Sequence, residues 1–139
     1  MNKKVLIIGA GGIGKRHIRG FLKTKRCTVS VCEKDNIKLK QVIDDYRIES
    51  SFNDLLKADL QDFDVAVIAT PAHTHIPIAK QLADAGVDFL VEKPLSVNIK
   101  GTAELIKTVD KKKLCARVGY IRRCTPWISK SKEYIQQGR

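Results

Sequence analysis

Residues 4–14 have the sequence KVLIIGAGGIG, a short apolar run that leads directly into a cluster of glycines. The apolar run predicts a buried β-strand, and the glycines fit the pattern G-x-G-x-x-G. A helical pattern follows over Gly12–Thr24. This strand, turn and helix are the order in which a doubly wound α/β fold begins.

The glycines have separate roles in this pattern. Gly9 permits a tight turn, and Gly11 lets the backbone approach a pyrophosphate. Gly14 lets the helix pack closely against the sheet. Free N–H groups at the helix start, around Gly12 and Ile13, are suited to hold phosphates. The alternative is a plain strand-to-helix turn without a ligand.

The rest of the chain alternates short apolar runs with longer helical patterns, which is typical of a parallel sheet covered by helices. The predicted strands are Lys4–Gly9, Thr28–Glu33, Val65–Thr70, Phe89–Val91 and Leu114–Tyr120, with a weaker one near Arg47–Glu49. The predicted helices are Gly12–Thr24, Asn36–Tyr46, Leu55–Leu60, His75–Ala85, Asn98–Asp110 and Pro126–Gln137. Together they predict a doubly wound parallel sheet in three α/β/α layers, a Rossmann fold.

Several helix ends carry recognisable signals. Asp35 is placed to cap the second helix, and residues 51–54 have the form of a capping box. Gly86 is a natural C-terminal stop. Thr125 and Pro126 form an N-cap and first-turn pair for the last helix.

An acidic residue, Glu33, ends the second predicted strand 19 residues after Gly14. At this position a carboxylate accepts hydrogen bonds from the adenosine ribose and repels a 2′-phosphate, which favours NAD over NADP. The basic neighbour Lys34 weakens this inference because it could serve a 2′-phosphate. The alternative is an ordinary surface glutamate at a strand end.

Two further motifs follow predicted strands and should lie at the same edge of the sheet. One is Thr70-Pro71 with His73 and His75, and we expect one histidine to line the cofactor pocket and the other to be exposed. The other is Glu92-Lys93-Pro94, in which the Lys93 ammonium group can polarise a substrate hydroxyl or carbonyl. Taken alone, the second motif could be a salt-bridged turn.

Composition narrows the functional classes. No apolar run is long enough to cross a bilayer, so we expect no membrane partner. The net charge of +11 could attract nucleic acid, but there is no recognition helix or aromatic RNA-binding motif, and we expect no nucleic-acid partner. The four cysteines and three histidines have no metal-binding spacing, which predicts no metal and reduced thiols in a cytoplasmic protein.

The motifs occur together in a particular order. They are residues 9–14 with His17, Glu33, residues 51–56, residues 67–71 with His75, residues 91–96, and Gly119-Tyr120 with Arg123 and Pro126. In this combination the chain resembles the glucose–fructose oxidoreductase / inositol dehydrogenase / MocA family over essentially its whole length. After Gly119-Tyr120 the chain departs from the family pattern, with Ile121 and then Arg123-Cys124.

The resemblance implies Lys93 as the catalytic residue and NAD as the cofactor, with NADP less favoured. It implies a cis peptide bond before Pro94. The cofactor-binding residues that it implies, together with the motif analysis, are Gly9, Gly11, Gly12, Ile13, Gly14, Glu33, Thr70, Pro71, His75, Glu92 and Lys93.

The resemblance also implies a domain organisation. Residues 1–120 would form the NAD(P)-binding domain, and residues 121–139 a linking helix toward a C-terminal α+β substrate domain that this chain does not contain. The full-length protein would be a homo-oligomeric dehydrogenase acting on a sugar, nucleotide-sugar or cyclitol, while this chain alone would be inactive. The family's proton-transferring histidine has no candidate here.

Two other functions remain open at this point. One is a stand-alone dinucleotide-binding module that senses or regulates without catalysis. The other is an S-adenosylmethionine methyltransferase, which is disfavoured because the Glu92-Lys93-Pro94 motif has no role there.

Overall fold

The sheet in the computed structural model, which describes residues 3–138, has six strands that are all parallel. The strands are β1 (Lys3–Ile8), β2 (Cys27–Cys32), β3 (Ser51–Phe52), β4 (Val65–Ile68), β5 (Asp88–Val91) and β6 (Ala116–Val118). Their order across the sheet is β3-β2-β1-β4-β5-β6. This order confirms the predicted doubly wound Rossmann fold. Residues 1, 2 and 139, which the predicted domain boundaries include, lie outside the described residues.

Five α-helices connect or follow the strands. They are α1 (Gly12–Thr24), α2 (Asn36–Asp45), α3 (His75–Ala85), α4 (Thr102–Lys112) and α5 (Pro126–Gln136). The bounds predicted for α1 and α3 are confirmed. None of the helices in the described part of the chain combines the length and the apolar character that a membrane crossing requires.

Strands β1, β2 and β4 are buried on both faces, which produces two separate cores. Side chains alternate along β1, so that Val5 and Ile7 contact one core and Leu6 and Ile8 the other. The first core is completed by residues of α1 and α2, and the second by residues of α3 and α4. The near-continuous apolar runs in the sequence therefore reflect helices on both faces of the sheet, giving the predicted three layers.

Two of the predicted helix ends are confirmed in detail. The Asp35 carboxylate accepts hydrogen bonds from the N–H groups of Ile37 and Lys38 at the start of α2. These hydrogen bonds lower the pKa of Asp35. Gly86 ends α3 in the left-handed conformation with φ of 81°, which a residue with a side chain rarely adopts.

The predictions for residues 47–60 are wrong in detail. The third strand is Ser51–Phe52 rather than Arg47–Glu49, because these two residues pair with the end of β2. Residues 55–60 form no α-helix, and two short 3₁₀ turns cover Leu55–Lys57 and Leu60–Asp62 instead. Asp54, and not Ser51, caps the first turn by accepting from the Leu56 N–H.

Helix α4 begins at Thr102, four residues later than predicted. The Asn98 side chain accepts a hydrogen bond from the Lys100 N–H, which forms a local turn in place of a first helical turn. Gly101 then has φ of 82°, which no residue of a right-handed helix can have. Strand β6 is also shorter than the predicted Leu114–Tyr120.

The last helix begins at Pro126 as predicted, although the Thr125 side chain makes no capping hydrogen bond. A 3₁₀ turn over Ile121–Cys124 separates it from β6. The large apolar side chains of α5 are exposed, with Trp127 at 80% and Ile135 at 74% of their full accessible surface.

Burial should protect one thiol from alkylation. Cys32 is 4% exposed, and burial, followed by the carboxylates of Asp54 and Glu33, raises the pKa of its thiol to about 11. The thiolate is the reactive form, and at pH 8 only roughly one Cys32 thiol in a thousand is ionised. We expect iodoacetamide at pH 8 to modify the exposed Cys115 and Cys124 and to spare Cys32, as measured by peptide mass spectrometry.

The same reaction in guanidinium chloride is the control, because all four cysteines should then react. Modification of native Cys32 at the rate of Cys115 would contradict the prediction.

Candidate functional site

The carboxyl ends of the parallel strands meet at one edge of the sheet. From β1 the chain continues to β2 on one side, and β4 pairs with β1 on the other side. Connections therefore diverge between β1 and β4, and such a switch point leaves a crevice at the carboxyl edge. The motifs predicted to bind a ligand all lie at this edge.

Two glycines let the turn after β1 fold against its surroundings. Gly9 has φ of 97°, and a Cβ atom there would lie 2.7 Å from the carbonyl oxygen of Ala69, at the end of β4. A Cβ atom on Gly14 would overlap the carbonyl group of Gly9. Side chains at these positions are therefore excluded by the protein itself, independently of any ligand.

The other two glycines of the turn face open space. A Cβ atom on Gly11 or Gly12 would meet no atom within 4 Å apart from its chain neighbours and the nearby backbone of its own helix, and both residues are exposed. Ile13, next to them in the first turn of α1, is 43% exposed. Because the first N–H groups of a helix lack partners within the helix, this surface fits a phosphate group. The residues present therefore fit the pyrophosphate of a dinucleotide.

Glu33 joins the end of β2 to the glycine turn. Its half-buried carboxylate accepts hydrogen bonds from the N–H of Ala10, at 2.7 Å, and of Asp35, at 3.0 Å. The carboxylate is thus fixed in orientation, and it retains lone pairs that can accept further hydrogen bonds. Sequence reasoning identified this residue but not its contact with Ala10.

The loop after β4 contains Thr70 and Pro71. The Thr74 hydroxyl lies 2.7 Å from both the Thr70 hydroxyl and the Pro71 carbonyl oxygen, which ties the loop to the start of α3. Thr70 is partly buried, and Pro71 is exposed. Both residues lie at the carboxyl edge, as their position after β4 predicts.

His75 lies beneath this loop and is 1% exposed. Its Nε2 is 2.8 Å from the Thr70 carbonyl oxygen, and its Nδ1 is 2.9 Å from the Pro94 carbonyl oxygen. Both ring nitrogens therefore face carbonyl oxygens of the protein, and the neutral ring can donate to one of them. Cofactor binding by His75 stays a prediction, and the neighbouring His73 is exposed.

Glu92 lies at the end of β5, between α1 and the residue that follows β6. Its Oε1 is 2.8 Å from Nε2 of His17 on α1, and its Oε2 accepts a hydrogen bond from the Lys93 N–H at 3.3 Å. A Cβ atom on Gly119, just after β6, would lie 3.3 Å from this carboxylate. The carboxylate thus occupies a narrow space between α1 and the end of β6.

Lys93 is exposed, and the bond between Lys93 and Pro94 is cis, as expected. The site predicted from sequence did not include His17 or Gly119. The signal for His17 was its place three residues after Gly14, one turn further along α1. Among residues 3–138 there is no group of three or more histidine, cysteine, aspartate or glutamate side chains that could hold a metal ion.

Fold and site geometry together define the class of protein: a doubly wound Rossmann domain whose glycine turn fits a dinucleotide. Over residues 3–120 the chain matches the oxidoreductase family with an NAD-binding Rossmann fold, the glucose–fructose oxidoreductase / inositol dehydrogenase / MocA family. It belongs to this family, which confirms the resemblance inferred from the motifs.

Two relatives and one solved structure illustrate the likeness. The uncharacterized oxidoreductase YrbE of Bacillus subtilis is 30% identical, covering 99% of this chain and 42% of the relative. The scyllo-inositol 2-dehydrogenase (NAD⁺) of the same organism is 27% identical, over 95% and 40%. The WlbA dehydrogenase from Bordetella pertussis, in complex with NADH and UDP-GlcNAcA, has a TM-score of 0.89 and 24% identity, over 100% and 43%. The chain spans about two fifths of the length of these proteins.

Substitutions of two glycines in the same helix should have opposite effects on stability. Gly14→Ala places a methyl group against the Gly9 carbonyl, and such overpacking typically destabilises by about 1–3 kcal/mol. Gly20→Ala is the control, since a Cβ atom there meets open space. Removing an interior helix glycine should stabilise by up to about 1 kcal/mol. Urea denaturation monitored by circular dichroism measures both, and equal effects would contradict the packing argument.

Proposed function

We propose that this chain binds NAD(H) across the carboxyl edge of the sheet and is the cofactor-binding part of an NAD-dependent dehydrogenase. A single observation carries the proposal. In the glycine turn, neighbouring backbone atoms leave no room for a side chain at Gly9 and Gly14, whereas the backbone at Gly11 and Gly12 is uncovered. A turn that needed glycine only for folding would have no reason to be bare at those two positions. A pyrophosphate lying on the backbone supplies that reason.

At the end of β2, Glu33 would bind the ribose in the adenosine half of the cofactor. The Glu33 carboxylate is fixed by two backbone N–H groups and faces the edge where the adenosine ribose would lie. Its charge favours a ribose with free hydroxyls and repels a 2′-phosphate. The exposed Lys34 carries the opposite charge and would favour a 2′-phosphate, but its side chain is not held in place as the Glu33 carboxylate is.

The nicotinamide half would lie on the other side of the switch point, near Thr70, Pro71 and Glu92. A bound nicotinamide supplies the hydride donor or acceptor of the reaction. Lys93 is the candidate catalytic residue, because its exposed side chain begins at the end of β5, beside this part of the edge. Its ammonium group would hydrogen-bond the substrate oxygen and stabilise the charge that develops there.

The proposed substrate is a sugar, nucleotide-sugar or cyclitol. Its support is the names of relatives, which include scyllo-inositol 2-dehydrogenase and UDP-N-acetylglucosamine 3-dehydrogenase. These names also favour an enzyme over a cofactor sensor without catalysis. Because the relatives are more than twice as long, substrate binding and oligomer formation are assigned to a further domain.

The proposed domain organisation is a cofactor domain up to residue 120, followed by a linking helix. Helix α5 supports it, since the whole helix is exposed and carries the apolar side chains of Trp127, Ile128 and Ile135. A helix of this length gains most of its stability from packing an apolar face against other elements. In the proposed organisation, a substrate domain would pack against these apolar side chains of α5.

Glu33→Ala should remove the preference for NADH. We expect the unmodified chain to bind NADH at least about tenfold more tightly than NADPH, a difference of ~1.4 kcal/mol. Without the carboxylate, the ratio of the two dissociation constants should approach one. Titration of nicotinamide fluorescence measures both constants, and their ratio is insensitive to a general loosening of the glycine turn.

The control is Glu104→Ala, an exposed glutamate on α4, which should leave the ratio unchanged. A chain that binds neither nucleotide at millimolar concentration would contradict the proposed function. Tighter binding of NADPH would contradict only the role of Glu33.

Gly11→Ala tests whether the bare backbone is a ligand site. Gly11 has φ of −66°, which alanine adopts readily, and the added methyl group meets open space. The cost in stability should be about 1 kcal/mol or less, because only the helix N-cap changes. NADH affinity should nevertheless fall by at least about tenfold, since the methyl group occupies the path of the pyrophosphate. Unchanged affinity would place the ligand elsewhere.

A further inference from the structure

We infer that His17 and His75 are positioning residues for Lys93, and that they hold the main chain on either side of it. This inference rests on the proposed function, in which Lys93 contacts the substrate. His17 binds the residue before Lys93, and His75 binds the residue after it. Neither histidine needs to contact substrate or cofactor to act in this way.

The first holding contact fixes Glu92. The side chains of His17 and Glu92 are 21% and 14% exposed, so their 2.8 Å contact is largely shielded from water. The main chain of Glu92 is fixed as well, because its N–H donates to the Ile68 carbonyl at 2.9 Å. The carboxylate in turn accepts from the Lys93 N–H. His17 thus acts on Lys93 through one intermediate side chain.

The space around Glu92 is restricted by β6. The Gly119 N–H donates to the Val91 carbonyl at 2.7 Å, which holds Gly119 against the end of β5. Any side chain at position 119 would contact the Glu92 carboxylate. The carboxylate therefore has few alternative positions while His17 is present.

The second holding contact fixes the Pro94 carbonyl. The His75 ring lies between this oxygen and the Thr70 carbonyl, so it packs between the loop after β5 and the loop after β4 and donates to at least one of the two oxygens. A neutral imidazole donates through one nitrogen only, whereas a protonated ring donates to both carbonyls. In either form the buried ring fills the space between the two loops. Thr70 and Lys93 are thereby held in fixed relation.

As a result, the main chain of Lys93 is held in place while its side chain is exposed to solvent. Its two neighbours are anchored by histidines from α1 and α3, while its own side chain is exposed. A displacement of about 1 Å in a group that contacts the reacting atoms is enough to lower a rate a hundredfold. Anchoring the main chain from both sides reduces such displacement without burying the ammonium group.

The test compares His17→Phe, which removes the hydrogen bond, with His17→Gln, which keeps an N–H donor for Glu92. Two ligands are titrated into each chain: NADH, and ADP-ribose, which lacks the nicotinamide. We expect His17→Phe to weaken NADH binding about five- to tenfold and ADP-ribose binding less than twofold. His17→Gln should restore NADH affinity to within about threefold. Lys23→Gln, at the exposed end of α1, is the matched control and should change neither affinity.

A second measurement needs no ligand and reports on the mobility of the main chain at Lys93. Hydrogen exchange by NMR should show faster exchange of the Lys93 amide in His17→Phe, and near-normal exchange in His17→Gln. His75→Gln, which keeps a donor for one carbonyl, should accelerate the same amide. Unchanged exchange of the Lys93 amide in His75→Gln would overturn the role assigned to His75.

The outcomes separate the two levels of argument. If the unmodified chain binds neither NADH nor ADP-ribose, the proposed function is wrong. NADH binding and Lys93 exchange that are unchanged in His17→Phe overturn the inference alone. A parallel loss of both ligands in His17→Phe also overturns it, because the histidine would then support the whole glycine turn rather than the region of Lys93.

Discussion

The close approach of α1 to the ends of β1 and β4 is the constraint on which the remaining structure depends. It requires that Gly14 lie directly on the Gly9 carbonyl, and that Gly9 lie against the Ala69 carbonyl. Because both contacts are between backbone atoms, no adjustment of side chains can replace them. The helix start is thereby aimed at the crevice, and Gly11, which faces away from the sheet, remains bare. One packing requirement thus produces both the fold and the surface that suits a phosphate.

How far the sequence determines the structure differs between elements. Strands buried on both faces were predictable because an apolar run such as residues 5–8 has one stable placement. The short β3 was not, because its two residues pair with the end of β2 and its position depends on the loop that precedes it. Thr102 begins α4 only because Asn98 and Gly101 form a local turn, an outcome decided by hydrogen bonds that periodicity does not contain.

The site shows the same division. The positions of Glu33 and Lys93 at strand ends follow from the sequence, since parallel strands place their carboxyl ends together. The contacts between them and the main chain do not follow from it. Ala10 is 23 residues from Glu33, and His17 is 75 residues from Glu92, so these hydrogen bonds exist only after the sheet has formed. Sequence reasoning therefore identifies the charged groups of such a site more readily than the groups that orient them.

The two sides of the crevice use their acidic residues in different ways. Within residues 3–138, the Glu33 carboxylate accepts hydrogen bonds from two backbone N–H groups and from no cationic side chain, so it can accept further hydrogen bonds from a ligand. Glu92 is paired with an imidazole and shielded by Gly119, so its carboxylate is occupied within the protein. Under the proposed function, carboxylates at equivalent strand ends would contribute recognition on one side and positioning on the other. Because Glu92 is paired in this way, the exposed Lys93 side chain would be the group at the end of β5 that meets a substrate oxygen.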